Sequence, residues 1–387
     1  MKKINILYIV NSLEIGGAQK VLIDNANNLD HNIYAVHVVS LTPNNVLNSI
    51  SSIINIHNNI KVYYFNFNFF DSYSIFGYFS LLFKKKADYN DLEVLVSLIS
   101  EIEPKIVHFH TSPRELVINK FFNIKANYIF TDHTLRITKN KYGFIKTKLL
   151  ALIFRKLYSG YIIISVSEDI KNSLLDNKII ESPNKCMLLL NGVNVSEYNQ
   201  VIPNNNGKLV AVYVSRIDSN KGHIDLIKAW ALLEDLKDKI LYIVGPDSLN
   251  GFVQSFAEEL GCKDSVIFTG AVTNPKDYIS KANLAVYPSY NEGLPLALLE
   301  KMAIGVPVIV SDIKELTAII TDNENGLVYK LSNYKELSEK IRFLHFNQSI
   351  AKLISNNARK TIELKYNSIK NATILNKYYS DILNKNL

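Results

Sequence analysis

Two carboxylates separated by seven residues flank a turn and the start of a helix in the second half of the chain. The segment 290–300, YNEGLPLALLE, places Glu292 in a loop, Pro295 in the first turn of a predicted helix, and Glu300 about one to two turns into it. Carboxylates accept hydrogen bonds from hydroxyl groups, whereas free backbone N–H groups at a helix N-terminus bind phosphate. Both glutamates can therefore face one ligand that carries hydroxyls and phosphate. The alternative is an ordinary amphipathic helix with Glu300 on its solvated face.

A second group of candidate residues lies in the segment 214–222, VSRIDSNKG, directly after the apolar run Leu209–Val214. Arg216 and Lys221 supply a guanidinium fork and an ammonium, which can neutralise the charge that builds on a departing diphosphate, as a divalent metal does elsewhere. No Asp-x-Asp metal motif occurs in a comparable loop, so we expect metal-independent chemistry. A surface pair of cations is the alternative.

Two glycines, Gly16 and Gly17, follow the first apolar run, Ile4–Val10, and precede a predicted helix at residues 18–29. Glycine lets a backbone approach a phosphate closely at a helix start. The pair lacks a full G-x-G-x-x-G motif, so simple turn geometry is the stronger explanation of the pair taken alone.

Three histidines lie at or after predicted strands of the first half. His108 and His110 share one face of the strand at 105–110, and only His110 lies near its loop end. We therefore expect His108 to be a core residue. His133 lies in the loop after another strand, beside Asp132, which is a weaker candidate. Without further context, a loop histidine that has no role is the favoured interpretation of His133.

Strand and helix patterns alternate along the chain, which is typical of parallel α/β sheets. The pattern restarts at residue 209 after the polar stretch 203–207, and 387 residues exceed one ordinary core. We expect two doubly wound Rossmann-like domains facing across a cleft, at residues 1–190 and 191–365, with a terminal helix at 366–387. Ligands of such sheets lie outside the carboxyl ends of the strands, so the loops there should carry the chemistry. After the first strand, the predicted strands are 34–40, 105–110, 128–131, 161–165, 188–194 (a strand ending in a turn), 209–214, 239–244, 266–269, 284–287 and 308–311.

The run from Glu292 to Glu300 resembles the E-x7-E signature of family 4 glycosyltransferases, which are retaining enzymes of the GT-B fold. The similarity covers nearly the whole chain and has two departures. Asn194 replaces a common aspartate, and Ile313-Lys314 stands where paired small residues often precede a glutamate. The most specific matches, besides the two glutamates, are Asn191–Val193, Arg216–Lys221, Ile243–Gly245, Phe268–Gly270 and Asn325–Val328.

The resemblance implies a role for each residue of the 290–300 segment. Glu300 would hold the ribose hydroxyls of a nucleotide-sugar donor, and Glu292 would hold hydroxyls of the transferred sugar. Backbone N–H groups of Gly293, Leu294 and Leu296 would meet phosphate or sugar.

The same resemblance assigns the remaining candidates. Arg216 and Lys221 would clamp the donor diphosphate and stabilise its departure. His133 corresponds to a family histidine near the transferred sugar. Gly16 and Gly17 match a Gly-Gly near the junction of donor diphosphate and acceptor. In the family, the terminal helix crosses back onto the N-terminal domain.

The net charge of +7 is concentrated in the first half, where residues 1–190 carry 21 Lys and Arg against 15 Asp and Glu. Basic residues of the segment 136–156 alternate with aromatic and aliphatic residues, which suits a helix resting on anionic lipid. A second aromatic stretch, 63–70, leads towards Lys84–Lys86. For both segments, a core element with a solvated basic face is an equally good interpretation. Nucleic acid is not expected, because no binding motif accompanies the charge.

Cys186 and Cys262 are too few for a disulfide framework and lack metal-ligand spacing, which favours a reducing cytosol. No uncharged apolar run reaches the roughly 18 residues that a spanning helix needs. We therefore expect a cytoplasmic location, with peripheral contact to the inner face of the cell membrane.

The expected function is that of a metal-independent, retaining hexosyl- or N-acetylhexosaminyltransferase. It would move a sugar from a nucleotide diphosphate, expected to be UDP, to a lipid-linked or cell-surface polysaccharide precursor, with no cofactor besides the donor substrate. The alternatives are a nucleotide-sugar epimerase or a phosphorylase of the same architecture, and a catalytically inactive nucleotide-sugar sensor. An epimerase needs no acceptor, whereas a phosphorylase needs pyridoxal phosphate.

Overall fold

The computed structural model describes residues 2–14, 16–44, 50, 55–67, 91–134, 139–200, 207–292 and 295–384, with the side chains of 139–144 left aside. The chain divides into two compact units. The first unit contains residues 1–191 together with 368–387, and the second contains residues 192–367.

The first unit is built on a parallel sheet in which seven described strands follow the order β3-β2-β1-β4-β5-β6-β7. The central strands are continuous runs of apolar residues because helices cover both faces of such a sheet. The strands are Ile4–Val10 (β1), Tyr34–Ser40 (β2), Ile60–Tyr64 (β3), Ile106–His110 (β4), Asn127–Asp132 (β5), Ile162–Ser165 (β6) and Cys186–Leu188 (β7).

The helices of this unit follow the same sequence logic. The helix Leu92–Ile102 buries Leu92, Leu95, Ile99 and Ile102, which recur at the spacing of one helix face. The helix Glu168–Asp176 is capped by Ser167, whose side chain accepts a hydrogen bond from the Ile170 N–H. Before the terminal helix, the described helices are Gly17–Asn27 (α1), Leu92–Ile102 (α2), Lys139–Leu157 (α3) and Glu168–Asp176 (α4).

The second unit repeats this architecture with a parallel sheet of six described strands in the order β10-β9-β8-β11-β12-β13. Its strands are Leu209–Val214 (β8), Lys239–Val244 (β9), Val266–Gly270 (β10), Leu284–Tyr287 (β11), Val308–Ser311 (β12) and Leu327–Tyr329 (β13). Its helices are His223–Ala231 (α5), Phe252–Glu259 (α6), Lys276–Lys281 (α7), Leu296–Ile304 (α8), Lys314–Thr317 (α9), Tyr334–Phe346 (α10) and Gln348–Lys365 (α11).

The terminal helix, Ser368–Asn384 (α12), packs in the first unit beside α1. Its Tyr379 is fully buried, and the Tyr379 hydroxyl lies 2.9 Å from the hydroxyl of Tyr8 on β1. Asn376 accepts a hydrogen bond from the Asp30 N–H at 3.3 Å. None of the helices in the described part of the chain has the length and apolar character needed to cross a membrane.

In each sheet, the strand order runs outwards in two directions from a switch point. This point lies between β1 and β4 in the first unit and between β8 and β11 in the second. The chain leaves the first strand of each unit in one direction and returns on the other side. Loops at the carboxyl ends of the two switch-point strands therefore form a crevice in each unit. The expected fold class of two doubly wound parallel α/β domains is confirmed.

Three sequence-based bounds differ from the structure. The strand that was predicted to begin at Leu188 and end in a turn by residue 194 instead ends at Leu188, because β7 pairs with β6, and β6 ends at Ser165 opposite Leu188. Pro295 lies just before α8 in an extended conformation rather than within its first turn. The strands β3 and β13 are additions, since both are short edge strands that the apolar pattern does not distinguish from loops.

The two basic aromatic stretches are largely core elements where the structure describes them. Phe65 and Phe67, which follow β3, are buried, and α3 buries Leu150, Ile153 and Phe154. The Lys84–Lys86 run and Arg136 lie outside the described residues. The outer face of α3, in contrast, retains exposed apolar side chains.

Candidate active site

Two loops meet at the switch point of the second unit. One, residues 215–222, follows β8, and the other, residues 288–295, follows β11. The buried Tyr213 hydroxyl donates to the Lys221 carbonyl oxygen at 2.8 Å and lies 3.1 Å from Ser289 Oγ. The Tyr290 N–H donates to the Asn220 carbonyl oxygen at 2.9 Å. These bonds hold the two loops against each other without a ligand.

Gly222 allows this close approach. Its φ of +68° lies in the left-handed region, and a Cβ at this position would stand 1.9 Å from the Pro288 carbonyl oxygen. Gly222 is also the residue before α5, so the loop can turn into that helix while touching the second loop. A side chain at residue 222 would force the two loops apart.

Lys221 and Glu292 form an ion pair across the two loops. The Lys221 Nζ lies 2.6 Å from Glu292 Oε1, and the side chains are 22% and 8% exposed. Because the pair is partly buried, little water reaches it to screen the attraction between the two charges. Each group therefore neutralises the other, and a ligand that needs either group must compete with this contact.

Arg216 lies nearby on the loop after β8 but is 61% exposed. Its Nη2 is 3.4 Å from Asp218 Oδ2, and the Asn220 N–H donates to the other Asp218 oxygen at 3.0 Å. The Asn220 N–H and then the Arg216 charge lower the pKa of Asp218. An exposed guanidinium held by one long contact can turn towards an anion at little cost.

Glu300 lies on α8 and accepts a hydrogen bond from the Tyr198 hydroxyl at 3.1 Å. Lys276 Nζ lies 4.3 Å from the centroid of the same Tyr198 ring. Leu296, the first residue of α8, is buried, and no side chain caps the helix. Gly293 and Leu294 lie outside the described residues, so their backbone N–H groups remain expectations.

Lys301 is the next residue on α8 and is fully buried. Its Nζ donates to the Ala297 carbonyl oxygen at 3.1 Å and lies 4.8 Å from the Tyr287 ring centroid. Burial lowers the pKa of Lys301 to about 7, against the opposing influence of Glu300 and Glu292. Lys301 was not among the residues predicted from the sequence, although a lysine on the apolar face of a helix is a visible signal.

In the first unit, Gly16 and Gly17 lie in the loop after β1, at that sheet's switch point. Gly16 is extended, with φ of −172°, and Gly17 opens α1 without a side-chain cap. Left-handed backbone is therefore not the reason for glycine at position 16. The absence of side chains at the start of an eleven-residue helix leaves backbone N–H groups approachable, as phosphate binding requires.

His133 follows β5 in the same unit and contacts a second histidine. Its Nε2 lies 3.0 Å from His110 Nδ1, while the other ring nitrogen of His110 is buried without a hydrogen-bond partner. Burial, reinforced by His108 and His133, lowers the pKa of His110 well below its ordinary value. The low pKa keeps His110 uncharged, so its ring shares one hydrogen bond with the His133 ring.

His108 and Asp132 have structural partners. The His108 ring nitrogens lie 2.5 Å from the Tyr379 hydroxyl and 2.7 Å from Thr131 Oγ1. Burial lowers the pKa of His108 to about 3, which keeps it neutral in the core. Asp132 is buried and accepts a hydrogen bond from the Tyr158 hydroxyl at 2.6 Å.

The structure thus brings Lys221 and Glu292 into contact, with Arg216 on the same loop as Lys221 and Glu300 on the following helix. Gly16, Gly17 and His133 belong to the other unit. Tyr198, Tyr213 and Tyr287 were not among the predicted residues; Tyr198 lies 102 residues from Glu300 and Tyr213 lies 76 residues from Ser289 in the sequence. In the part of the chain that the structure describes, no three His, Cys, Asp or Glu residues are grouped to hold a metal ion.

The family model described as glycosyl transferases group 1 matches residues 194–361. This stretch includes Arg216, Lys221, Glu292 and Glu300. The matched stretch corresponds to most of the second unit, so the ion pair of Lys221 and Glu292 lies inside it.

A curated relative supports glycosyltransferase activity as well. CapM of Staphylococcus aureus, a capsular polysaccharide biosynthesis glycosyltransferase, is 25% identical over 300 residues, which cover 73% of this chain and 78% of CapM. The similarity to CapM therefore extends beyond residues 194–361 into the first unit.

Solved structures share the fold over nearly the full length. A glycosyltransferase from Rickettsia africae ESF-5 matches with a TM-score of 0.77 at 20% identity and covers 99% of each chain. Anabaena Alr3699/HepE, solved in complex with UDP, matches with a TM-score of 0.76 at 15% identity and covers 98% of this chain and 100% of its own. The fold of this chain is therefore GT-B.

Proposed function

We propose that this chain is a retaining family 4 glycosyltransferase that moves a hexose or N-acetylhexosamine from a UDP-sugar to a lipid-linked or cell-surface polysaccharide precursor. The ion pair of Lys221 and Glu292 at a sheet switch point carries the proposal. A cation and a carboxylate on two facing loops match the two halves of a nucleotide sugar, which are an anionic diphosphate and a sugar rich in hydroxyls.

Each candidate group has a part in binding this donor. Lys221 leaves Glu292 and, with Arg216, binds the diphosphate. Glu292, once released, accepts hydrogen bonds from the transferred sugar, and Glu300 accepts them from the ribose. The uncapped start of α8, near Leu296, offers backbone N–H groups to phosphate or sugar.

In the single-step route to retention, the acceptor attacks on the face from which the nucleotide leaves. We propose that the departing phosphate takes the proton of the acceptor hydroxyl, while Arg216 and Lys221 stabilise the charge that develops on the diphosphate. This arrangement needs no side-chain nucleophile and no metal. The single carboxylate near the sugar, Glu292, then serves to hold the sugar rather than to attack it.

Two comparisons support the choice of donor and acceptor. HepE was solved with UDP, which favours a uridine nucleotide for a chain of the same fold. CapM acts in capsular polysaccharide biosynthesis, which favours a growing surface polysaccharide as acceptor. Such acceptors are built on membrane-bound carriers, so a membrane contact of the enzyme follows from the proposal.

The outer face of α3 suits that contact. Ile145, Leu149 and Leu152 are 81%, 42% and 64% exposed, and their spacing places them on one stripe of the helix. Lys146, Lys148, Arg155 and Lys156 are exposed around this stripe. We propose that the stripe rests in the headgroup region of an anionic lipid surface, with the basic side chains at the phosphates.

Replacing Lys146, Lys148 and Lys156 together with Gln should reduce binding to anionic vesicles about 10²-fold at low salt, because each basic residue contributes about 1 kcal/mol near such a surface. Vesicle sedimentation at low and high salt measures this loss. Donor hydrolysis should not change. A matched triple variant in the second unit, Lys335, Lys352 and Lys360 to Gln, should bind as the parent does. Equal binding by the two triple variants would contradict the membrane contact.

The histidine pair yields a separate prediction, because His110 holds His133 through one hydrogen bond. His110→Phe should lower the kcat of transfer about tenfold, which corresponds to roughly 1–1.5 kcal/mol for one hydrogen bond, and should leave donor KM unchanged. His110→Asn keeps a side-chain N–H near the position of Nδ1 and should retain most activity. Steady-state kinetics of folded variants decide the matter. Equal kcat values for the two variants would contradict this role.

The function itself is tested by incubating the protein with UDP-, GDP- and ADP-sugars while following release of the free nucleotide, with and without a membrane lipid extract. We expect release from a UDP-sugar that the extract accelerates, with the sugar recovered on lipid. A new free nucleotide sugar formed without acceptor would indicate an epimerase. Binding without release from any donor would indicate a sensor.

A further inference from the structure

A lysine lies buried directly beneath the candidate site. Lys301 has no exposed surface, and its Nζ lies between α8 and the ring of Tyr287 on β11. A charged ammonium has three N–H donors, but the Ala297 carbonyl oxygen is the single hydrogen-bond acceptor that the described structure provides for it. Burying an ammonium with so few partners is costly, so the uncharged amine is favoured in the free protein.

The charged groups around Lys301 are carboxylates of the site itself. Glu300 precedes it on α8, and Glu292 comes from the loop after β11; both act to raise the pKa of Lys301, against the larger effect of burial. Tyr287 faces it from β11, and burial together with Glu292 keeps this phenol protonated by raising its pKa. From α11, Arg359 bonds to the Ala303 carbonyl oxygen near the end of α8.

Donor binding changes the charge balance of this cluster. In the free protein, Lys221 neutralises Glu292 at 2.6 Å. If Lys221 moves to the diphosphate, the Glu292 carboxylate, which is only 8% exposed, loses its cation. A carboxylate in so little water needs a replacement positive charge, and Lys301 is the buried group that can supply it by accepting a proton.

We propose that Lys301 is a buried base that takes up one proton from solvent when a nucleoside diphosphate binds, so that donor binding is coupled to proton uptake. The proton adds to the Nζ lone pair, and no other bond forms or breaks. The proposal rests on the proposed function, because it assumes that the diphosphate draws Lys221 away from Glu292.

The direction of the pH dependence follows from this coupling. Burial lowers the pKa of Lys301 to about 7 in the free protein. Below this pH the ammonium is present before the ligand arrives, whereas above it the ligand must also bring in a proton. UDP affinity should therefore fall as the pH rises above 7, approaching about tenfold per pH unit. In Lys301→Met the affinity should be lower at pH 6 and nearly constant between pH 7 and 8.

Calorimetric titration of the full chain with UDP in buffers of different ionisation enthalpy measures the proton uptake directly. At pH 7.5 the parent protein should take up most of one proton per UDP bound. Lys301→Met should lose this uptake, while Lys281→Met, which changes an exposed lysine at the end of α7, should keep it. Methionine suits a buried apolar site, so the Lys301 variant should fold with an unchanged or higher thermal midpoint.

An NMR titration of the lysine CεH2 groups gives a second readout. The resonance absent from Lys301→Met should titrate near pH 7 in the free protein and at higher pH with UDP. UDP binding with the same proton uptake in the parent and Lys301→Met would overturn the role of Lys301 and leave the proposed function standing. Absence of UDP binding by the parent would overturn both. A Lys301 resonance that titrates near 10 in the free protein would also overturn the inference.

Discussion

Arg216→Ala and Lys221→Ala should each lower sugar transfer about 10²-fold or more, as removal of one group that stabilises transition-state charge does in other enzymes. Lys221 contacts Glu292 in the free protein, and Arg216 is held to Asp218 by a single 3.4 Å contact. Both cations are therefore available to a diphosphate after a local rearrangement. The loss should fall mainly on kcat, because the charge on the leaving diphosphate grows in the transition state.

Transfer kinetics of the two variants should be compared with Lys263→Ala. Lys263 is 69% exposed and contacts Glu258 at 3.4 Å, so its environment matches that of Arg216 away from the site. The control should keep full activity, and all three variants should fold. EDTA should have little effect on the parent enzyme. Loss of activity on chelation, with recovery on addition of Mg²⁺ or Mn²⁺, would show that a metal, rather than Arg216 and Lys221, stabilises the leaving diphosphate.

Substitutions of the two glutamates should have different effects, because each glutamate holds a different part of the donor. Glu300→Gln should weaken binding of free UDP about tenfold or more, because it replaces charged acceptors of ribose hydroxyl hydrogen bonds. Glu292→Gln should leave UDP affinity equal or higher, since it frees Lys221 from its ion pair, but should strongly lower turnover of the UDP-sugar. Calorimetry with UDP and kinetics with the UDP-sugar measure the two effects.

Glu258→Gln is the matched control for this pair, since Glu258 lies in an exposed ion pair on α6 and should affect neither quantity. If both site variants lose UDP affinity to the same extent, the division of roles between Glu292 and Glu300 is wrong. If Glu300→Gln binds UDP normally, its contact with Tyr198 is structural only.

The parallel α/β architecture could be predicted because apolar runs such as Ile4–Val10 and Leu209–Val214 are buried on both faces of their sheets and alternate with helix patterns. The positions of the candidate residues in loops followed from the same pattern. The edge strands β3 and β13 were missed for different reasons. Partial exposure interrupts the apolar run of β3, whereas β13 has only three residues.

Contacts between distant segments could not be predicted from one sequence. Lys221 and Glu292 are 71 residues apart, and Tyr198 and Glu300 are 102 apart, so only the fold reveals that they meet. The basic helix α3 illustrates a different limit. Its charged residues could be read from the sequence, but only the fold shows that Phe154 is buried whereas Ile145 and Leu152 are exposed.

The central claim is that a nucleotide-sugar donor binds where the loops after β8 and β11 meet. A crystal structure of the protein with UDP tests it most directly. We predict the diphosphate beside Lys221 and Arg216 near the start of α8, the ribose at Glu300, and a separation of Lys221 Nζ from Glu292 well beyond the present 2.6 Å. UDP bound away from these loops, or bound beside an intact ion pair of Lys221 and Glu292, would contradict the claim.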